Sequence, residues 1–342
     1  MSQDETGIGA IVDQVVGELR AKGVEVKAPD APVAFDGRGI LADIDSAVSA
    51  AGRSLAESRE MSVATREAAI RAMRRTVLGN LEWLSQMAVD ETGLGRFEDK
   101  LRKNRLVATR TPGTEDLRPQ AYSGDHGLTL VERAPYWIIG SITPSTNPTE
   151  TIVGNAISMV AGGNVVVFNP HPSARAVSLT CIDLLNRAIT DAGGPRALLL
   201  AVAEPTIETA GALMAHPDVR LLVVTGGPGV VRAAMQSGKK VVAAGPGNPP
   251  VVVDESADIA RAGRDIVAGA SLDNNIVCIA EKVIIVVREA ARNLKVALVE
   301  AGAVELKGQQ ADRVTSVVFR DAGSPGTDPS LARNLIGKDV AV

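Results

Sequence analysis

The sequence predicts an α/β fold built on a doubly wound parallel sheet, carried in two domains. Three observations point there. Short apolar segments at 137–142, 164–168, 197–202 and 220–224 alternate with helical stretches at 149–160, 174–191, 207–215 and 230–237. That alternation is the pattern of βαβ units whose strands are buried on both faces. A glycine- and proline-rich break, Ala244-Gly-Pro-Gly-Asn-Pro-Pro250, separates these units from a further helix at 257–270 and strand at 282–287. A length of 342 residues accommodates about two domains at roughly 150 residues each.

Taken in chain order, the first element is a short amphipathic helix. Ile8, Ile11, Val12, Val15, Val16 and Leu19 fall on one helical stripe. Lys27-Ala-Pro-Asp-Ala-Pro32 behind it reads as a linker. The helix suits docking on its own domain or oligomer, or a peptide that lies in another protein's groove. Residues 41–58 and 62–90 read as two helices with alanine-rich faces, and 321–329 as a loop. The expected division is a helix at 1–20, a linker at 21–36, a sheet domain at 37–245 and a second α/β domain at 246–342.

Composition removes several classes of function. The formal net charge of −4 gives no general attraction to nucleic acid or to anionic membrane. Aromatic residues make up only 2% of the chain, too few for base-stacking platforms. Two distant cysteines, Cys181 and Cys278, fit a reducing compartment, and with three scattered histidines no metal site is expected. The N-terminus begins acidic, without the basic start and apolar block of a signal peptide, and no run is apolar enough to span a membrane. A cytoplasmic enzyme is the expectation.

In a parallel sheet ligands bind outside the carboxyl ends of the strands, and three strand ends here are unusual. Ile142-Thr-Pro-Ser-Thr-Asn-Pro-Thr-Glu150 is a polar turn entering a helix. Asn147, flanked by prolines, can offer a neutral amide donor to a developing oxyanion; Ser145 or Asn147 equally suits a helix cap or turn. Phe168-Asn-Pro-His-Pro172 reads as a ribose contact or as an ordinary proline turn. It has no acidic residue of the kind that favours NAD over NADP. Val224-Thr-Gly-Gly-Pro-Gly229 brings a strand through glycines to a helix start, where backbone N–H groups favour pyrophosphate. No GxxxxGK[ST] phosphate loop is present. Cys278 lies in Ser271-Leu-Asp-Asn-Asn-Ile-Val-Cys-Ile-Ala-Glu-Lys282. A lone cysteine among Ile and Val is usually a small core residue, but the polar Asp273-Asn274-Asn275 approach is unusual for a core strand. Cys181 sits on a helix's apolar stripe, as packing.

In order and spacing, Thr143-Pro-Ser-Thr-Asn-Pro-Thr-Glu-Thr151, Val166-Val-Phe-Asn-Pro-His-Pro172, Thr225-Gly-Gly-Pro-Gly229, Gly245-Pro-Gly-Asn-Pro249 and Asp273-Asn-Asn-Ile-Val-Cys-Ile-Ala-Glu-Lys282 resemble the CoA-acylating aldehyde dehydrogenases, in particular the propionaldehyde and acetaldehyde dehydrogenases of bacterial microcompartments. The resemblance runs along nearly the whole chain. It implies an aldehyde-dehydrogenase-like fold, with a Rossmann-type NAD/CoA-binding domain and an α/β catalytic domain. It also implies a reaction: aldehyde, NAD and coenzyme A give acyl-CoA and NADH.

Cys278 matches the nucleophile, forming a thiohemiacetal and then an acyl-thioester. The Asn147 side chain and the Cys278 backbone N–H match the oxyanion hole. Thr143, Pro144, Ser145, His171, Pro172, Gly226, Gly227, Pro228 and Gly245 match the dinucleotide groove, with CoA using the same groove after NADH leaves. Where hydrolytic members carry a Glu-Leu-Gly-Gly general base, this chain has Ala243-Ala-Gly-Pro-Gly247, so an acyl-thioester waits for a thiol acceptor. A free thiol is only about 3% thiolate at pH 7, and the site must raise that share.

By the same resemblance the N-terminal helix, over residues 8–20, directs the protein to a microcompartment shell protein, and full-length members form homo-oligomers. The chain ends before the family's usual catalytic domain does. The expectation is therefore of a shortened member, with a non-catalytic NAD/CoA-binding or scaffold protein as the alternative. A glutamyl-phosphate-reductase-like enzyme is a further one.

Overall fold

The computed structural model describes residues 39–320 and 330–339. The helix expected at 8–20, the linker and the loop at 321–329 lie outside the described residues. The chain divides into one unit of Met1–Thr92 and Lys100–Pro246 and a second of Gly93–Asp99 and Gly247–Val342.

The first unit begins with β1 (Ile40–Leu41), α1 (Ile44–Ser58), α2 (Val63–Gly79) and α3 (Leu81–Thr92). Asp43 and Ser62 cap the first two helices, accepting from the N–H of Ser46 at 2.7 Å and of Thr65 at 3.1 Å. The single helix expected at 62–90 is broken at Gly79-Asn80. Asn80 turns out of helical geometry and its amide donates back to the Thr76 carbonyl at 2.8 Å, a local bond that competes with helix continuation. A further helix, α4 (Phe97–Arg110), follows. Then come an exposed hairpin, β2 (Gln120–Gly124) and β3 (Gly127–Val131), and the sheet proper.

That part runs β4 (Ile138–Ile142), α5 (Pro148–Ala161), β5 (Val165–Asn169), α6 (Arg175–Asp191), β6 (Leu199–Val202), α7 (Ile207–Ala215), β7 (Leu221–Thr225), α8 (Pro228–Met235) and β8 (Lys240–Ala244). The strands pair in the order β1-β6-β5-β4-β7-β8, all parallel. The chain therefore starts near the middle at β4, walks outward through β5 to β6, then returns to lay β7 on the other side of β4. Right-handed crossovers put the helices of the two walks on opposite faces. β4, β5 and β6 are buried along their whole length, which is why they read as unbroken apolar runs. β8 lies at the sheet edge with four of its five residues exposed, and its weak apolar pattern gives no strand signal.

Asn186, wholly buried on α6, splints the start of β6 to that helix. Its Nδ2 donates to the Leu199 carbonyl at 2.6 Å and its Oδ1 accepts the Leu199 N–H at 3.1 Å. Gly39 comes in beside this splint at φ +97, where a Cβ would stand 2.5 Å from the Leu199 oxygen; only glycine fits that conformation and that approach.

The second unit pairs β9 (Pro250–Val253) in parallel with β10 (Val283–Val286). Between them run α9 (Ile259–Ser271) and a 3₁₀ turn (Leu272–Asn275), and α10 (Arg288–Glu300) and α11 (Gln309–Val318) follow. Val253, Ile266 and Leu294 form its small core. α9 meets α10 at Gly263, where a Cβ would lie 2.7 Å from that of Ala297. No helix among the described residues is long and apolar enough to cross a membrane.

Replacing Asn186 by Leu strands both backbone groups of Leu199 away from water. A loss of ~2–4 kcal/mol of stability is expected, read as a lower urea midpoint; an unchanged midpoint would show that the splint contributes nothing.

Candidate functional site

Because every strand of the main sheet is parallel, all their carboxyl ends lie along one edge. Each loop singled out from the sequence in this unit leaves that edge. Thr143, Pro144, Ser145 and Asn147 follow β4; His171 and Pro172 follow β5; Gly226, Gly227 and Pro228 follow β7; Gly245 follows β8. The walk reverses between β4 and β7, and such a switch point opens a crevice for ligands. The loops of Asn147 and of Gly226–Pro228 flank that position.

Two helices begin in those loops without a side chain to cap them. Asn147 precedes α5 and Gly227 precedes α8, each with proline at the first helical position and no side-chain cap bond. Their first-turn N–H groups are the kind that receive anions. Nothing stands within 4 Å of a Cβ built on Gly227, whereas one on Gly226 would lie 2.6 Å from Val230 Cγ1. The backbone at Gly227 is thus open to close approach. Thr143 Oγ1 is buried with no hydrogen-bond partner among the described residues. An open helix start and an unsatisfied buried hydroxyl fit a dinucleotide: Gly226 and Gly227 would hold its phosphates, and Thr143 would supply a polar contact.

At the end of β5 the Asn169 amide is already engaged. Its Nδ2 donates to the Thr206 carbonyl at 3.3 Å and its Oδ1 accepts the Thr209 hydroxyl at 2.6 Å. His171 Nδ1 meets the Ser173 hydroxyl at 2.7 Å and the Ser173 N–H at 3.2 Å. Desolvation holds His171 below the ordinary histidine value although the residue as a whole is exposed; this favours a neutral ring at pH 7.

The sequence reading missed what lies behind Asn147. α4 carries Lys100, Lys103 and Asn104 on one face at i, i+3 and i+4, and all three are buried. Lys100 Nζ donates to the Thr146 carbonyl at 2.6 Å. Lys103 Nζ donates to Asn147 Oδ1 at 2.6 Å and lies 3.0 Å from Glu150 Oε1. Asn147 Nδ2 donates to Thr146 Oγ1 at 3.1 Å, and its backbone carbonyl accepts the Thr151 hydroxyl at 2.6 Å. In a chain where 22% of residues are charged, the segment Lys100-Leu-Arg-Lys-Asn104 reads as a solvated face, and nothing local marks it otherwise.

In the second unit Cys278 sits on a half-exposed turn between α9 and β10. The approach to it is unusual. Asp273, Asn274 and Asn275 all hold left-handed backbone, at φ 51, 53 and 59. L-residues pay ~1–2 kcal/mol each for that region, least when they are Asn or Asp. The run is tied down at every residue. Asp273 Oδ1 accepts the Arg96 N–H at 2.8 Å, and the Asp273 N–H donates to Asp99 Oδ2 at 2.9 Å. Asn274 Nδ2 donates to the Gly337 carbonyl at 3.0 Å, and Asn275 Nδ2 to the carbonyls of Ala270 and Glu281.

Lys282 closes the turn. Its Nζ donates to Asn275 Oδ1, to the Asn275 carbonyl at 3.0 Å and to that of Val277 at 3.3 Å. Desolvation holds Lys282 below the usual lysine value, opposed by the charges of Cys278 and Glu281. Gly247 presses against the Cys278 carbonyl, where a Cβ would stand 2.0 Å from the oxygen. Cys181 is the opposite case: it is fully buried in the first unit, and burial pushes its thiol up to about 12. Of the two cysteines, Cys181 is buried and Cys278 half-buried.

Comparison with known proteins follows the same lines. The aldehyde dehydrogenase family matches residues 34–317. The acetylating acetaldehyde dehydrogenase of Bilophila wadsworthia (strain 3_1_6) is 50% identical over 307 residues, which is 89% of this chain but 63% of that protein. The chain therefore spans less than two thirds of that relative's length. The structure of Rhodopseudomonas palustris propionaldehyde dehydrogenase with bound CoA and an acylated cysteine superimposes with a TM-score of 0.82 at 46% identity, covering 89% of this chain and 69% of that one. The propionaldehyde dehydrogenase of the Clostridium phytofermentans fucose utilisation microcompartment gives 0.81 at 45% identity, over 88% and 68%. With its parallel sheet, the loops gathered at one edge of it and these matches, the chain belongs to the aldehyde dehydrogenase family.

Proposed function

We propose that this protein oxidises a short-chain aldehyde, of the propanal or acetaldehyde kind, to its CoA thioester with reduction of NAD. The observation that carries the reading is the state of Cys278: a half-buried cysteine on a turn held in left-handed backbone by bonds at every step. Strain kept up by that many bonds belongs with a reactive group more than with a packing residue. When bound, NAD supplies the hydride acceptor and coenzyme A the thiol that takes the acyl group.

The chain's own part is then as follows. Cys278 Sγ attacks the aldehyde carbonyl carbon, forming a C–S bond and sending the π electrons onto oxygen. The Asn147 amide and the Cys278 backbone N–H stabilise that oxyanion, as neutral donors that charge development cannot titrate. Collapse of the thiohemiacetal expels hydride and leaves an acyl-thioester on Cys278. The CoA thiolate then displaces Cys278 at the acyl carbon, returning the enzyme thiolate. Thr143, Pro144, Ser145, His171, Pro172, Gly226, Gly227, Pro228 and Gly245 form the dinucleotide groove. Ala243 and Ala244 end β8 with no carboxylate to activate water, which favours the CoA acceptor over hydrolysis.

The division into a groove-bearing domain at 37–245 and a catalytic domain at 246–342 is part of the same proposal, as is a cytoplasmic, microcompartment-lumen location. Residues 8–20, by their single apolar stripe, are assigned to docking on a shell protein. Homo-oligomer formation is the remaining partner assignment.

Mixing the protein with propanal, NAD and CoA should give NADH that depends on CoA and is lost in Cys278→Ala. A folded protein that binds NAD yet makes no NADH would overturn the reading in favour of a non-catalytic binding protein. Running NADP in parallel tests the cofactor, since no carboxylate stands at the end of β5 to repel its phosphate. A second prediction concerns the turn itself. One of the two thiols should react with a disulfide reagent in the native protein, and both after denaturation. Gly247→Ala should slow the native reaction about tenfold by displacing the Cys278 backbone; equal rates would mean that Gly247 does not position the thiol.

A further inference from the structure

The acceptor end of an asparagine amide is as polar as its donor end. An oxyanion is stabilised by the N–H end and repelled by the C=O end. Turning the amide over about its last side-chain bond exchanges the two while filling the same space. Asn147 therefore serves an oxyanion only if something decides which end is presented. An ammonium group makes that choice, because Lys carries three donors and no acceptor. Lys103 Nζ stands 2.6 Å from one end of the amide, and the reversed amide would set N–H against N–H at that distance. Glu150, 3.0 Å from the same Nζ and only 8% exposed, supplies the counter-charge that an ammonium at this depth requires.

We propose that Lys103 is a positioning residue that fixes the polarity of the Asn147 amide: by occupying Oδ1 it leaves Nδ2 as the end offered to the aldehyde oxygen. The inference rests on the oxyanion role given to Asn147 above, but the orientation itself can be measured without turnover. Lys100 completes the arrangement from the next turn of α4, its Nζ holding the Thr146 carbonyl at 2.6 Å. The residue that bears the amide and the one before it are thus both pinned from a single buried helix face. With the carboxamide oxygen held by Lys103 and one N–H on Thr146 Oγ1, the second N–H is the donor the side chain has left among the described residues.

The test compares Lys103→Arg, which keeps a cationic donor, with Lys103→Met/Glu150→Gln, which removes both members of the ion pair together. The Asn147 side-chain amide signal is assigned in ¹⁵N-labelled protein by its loss in Asn147→Ala. In Lys103→Met/Glu150→Gln that signal should shift and exchange faster with water, while Lys103→Arg leaves it near its original place. In the propanal assay the double variant should lose about 10–100-fold in kcat, toward the ~10²–10³ of a deleted oxyanion donor, with KM for propanal changed less than about twofold. Adding Asn147→Ala to the double variant should bring the loss only to that of Asn147→Ala alone, well short of the product of the two.

An amide signal unmoved by loss of Lys103 would overturn the proposal. So would kcat losses that multiply on adding Asn147→Ala, because these denote general damage. If Asn147→Ala alone leaves kcat intact, it is the oxyanion role of Asn147 that fails, and the amide signal still decides whether Lys103 orients the side chain.

Discussion

The reversal of the sheet walk at β4 is the constraint on which the first unit depends. A chain that crosses over right-handedly from β4 to β5 to β6 has no free strand edge left on that side except the outermost, where the two-residue β1 already pairs. To continue it must return and pair β7 with the open edge of β4. That return separates the loops after β4 and β7, since each leads to a helix on a different face. Two uncapped helix starts consequently face the same edge of the sheet. The motifs around Asn147 and Gly227 are more than 75 residues apart in sequence, and this topology alone makes them neighbours.

The second unit solves a different problem, that of holding one turn in a shape its residues disfavour. Three successive left-handed residues would relax if they were free. Here Asp273 bonds to Arg96 and Asp99, which lie about 175 positions earlier in the chain but in the same unit, and Asn274 bonds to Gly337 from the far end. Arg96 is itself paired with Asp339 at 2.7 Å. The geometry of the Cys278 turn therefore depends on three separate stretches of chain, and only their joint presence specifies it. Gly247 is a fourth contributor, acting through the side chain it lacks.

These facts explain what could be read from the sequence. The four inner strands and their helices were legible because full burial writes itself as apolar runs with turn residues at the ends, and each expected span lies within two residues or so of the observed one. The strand-end loops were legible as motifs for the same reason. β8 was not: as an exposed edge strand it has no burial to impose a pattern. The break at Asn80 was missed because a helix-compatible residue ended the helix through one side-chain bond. The left-handed run could be suspected only as a polar approach to Cys278, since Asn and Asp at φ near +50 look no different in sequence from Asn and Asp in an ordinary turn. The lysines of α4 were illegible in principle, because a buried ammonium and a solvated one share a letter. The partners that distinguish them, Thr146, Asn147 and Glu150, lie over 40 residues on.

That last case bears on why a fold would keep buried charge at all. Desolvating an ammonium and a carboxylate costs several kcal/mol per ion before their attraction is counted, and well-packed apolar residues of like volume commonly serve stability as well or better. Lys103 and Glu150 are thus poor choices if the aim is only to hold α4 against α5. An apolar pair would fill the same space and leave the Asn147 amide free to present either end. What the ion pair adds is direction: a donor-only group at 2.6 Å distinguishes oxygen from nitrogen, which shape alone does not. A polar contact whose cost is hard to justify by stability is here explained by the one property that apolar packing lacks.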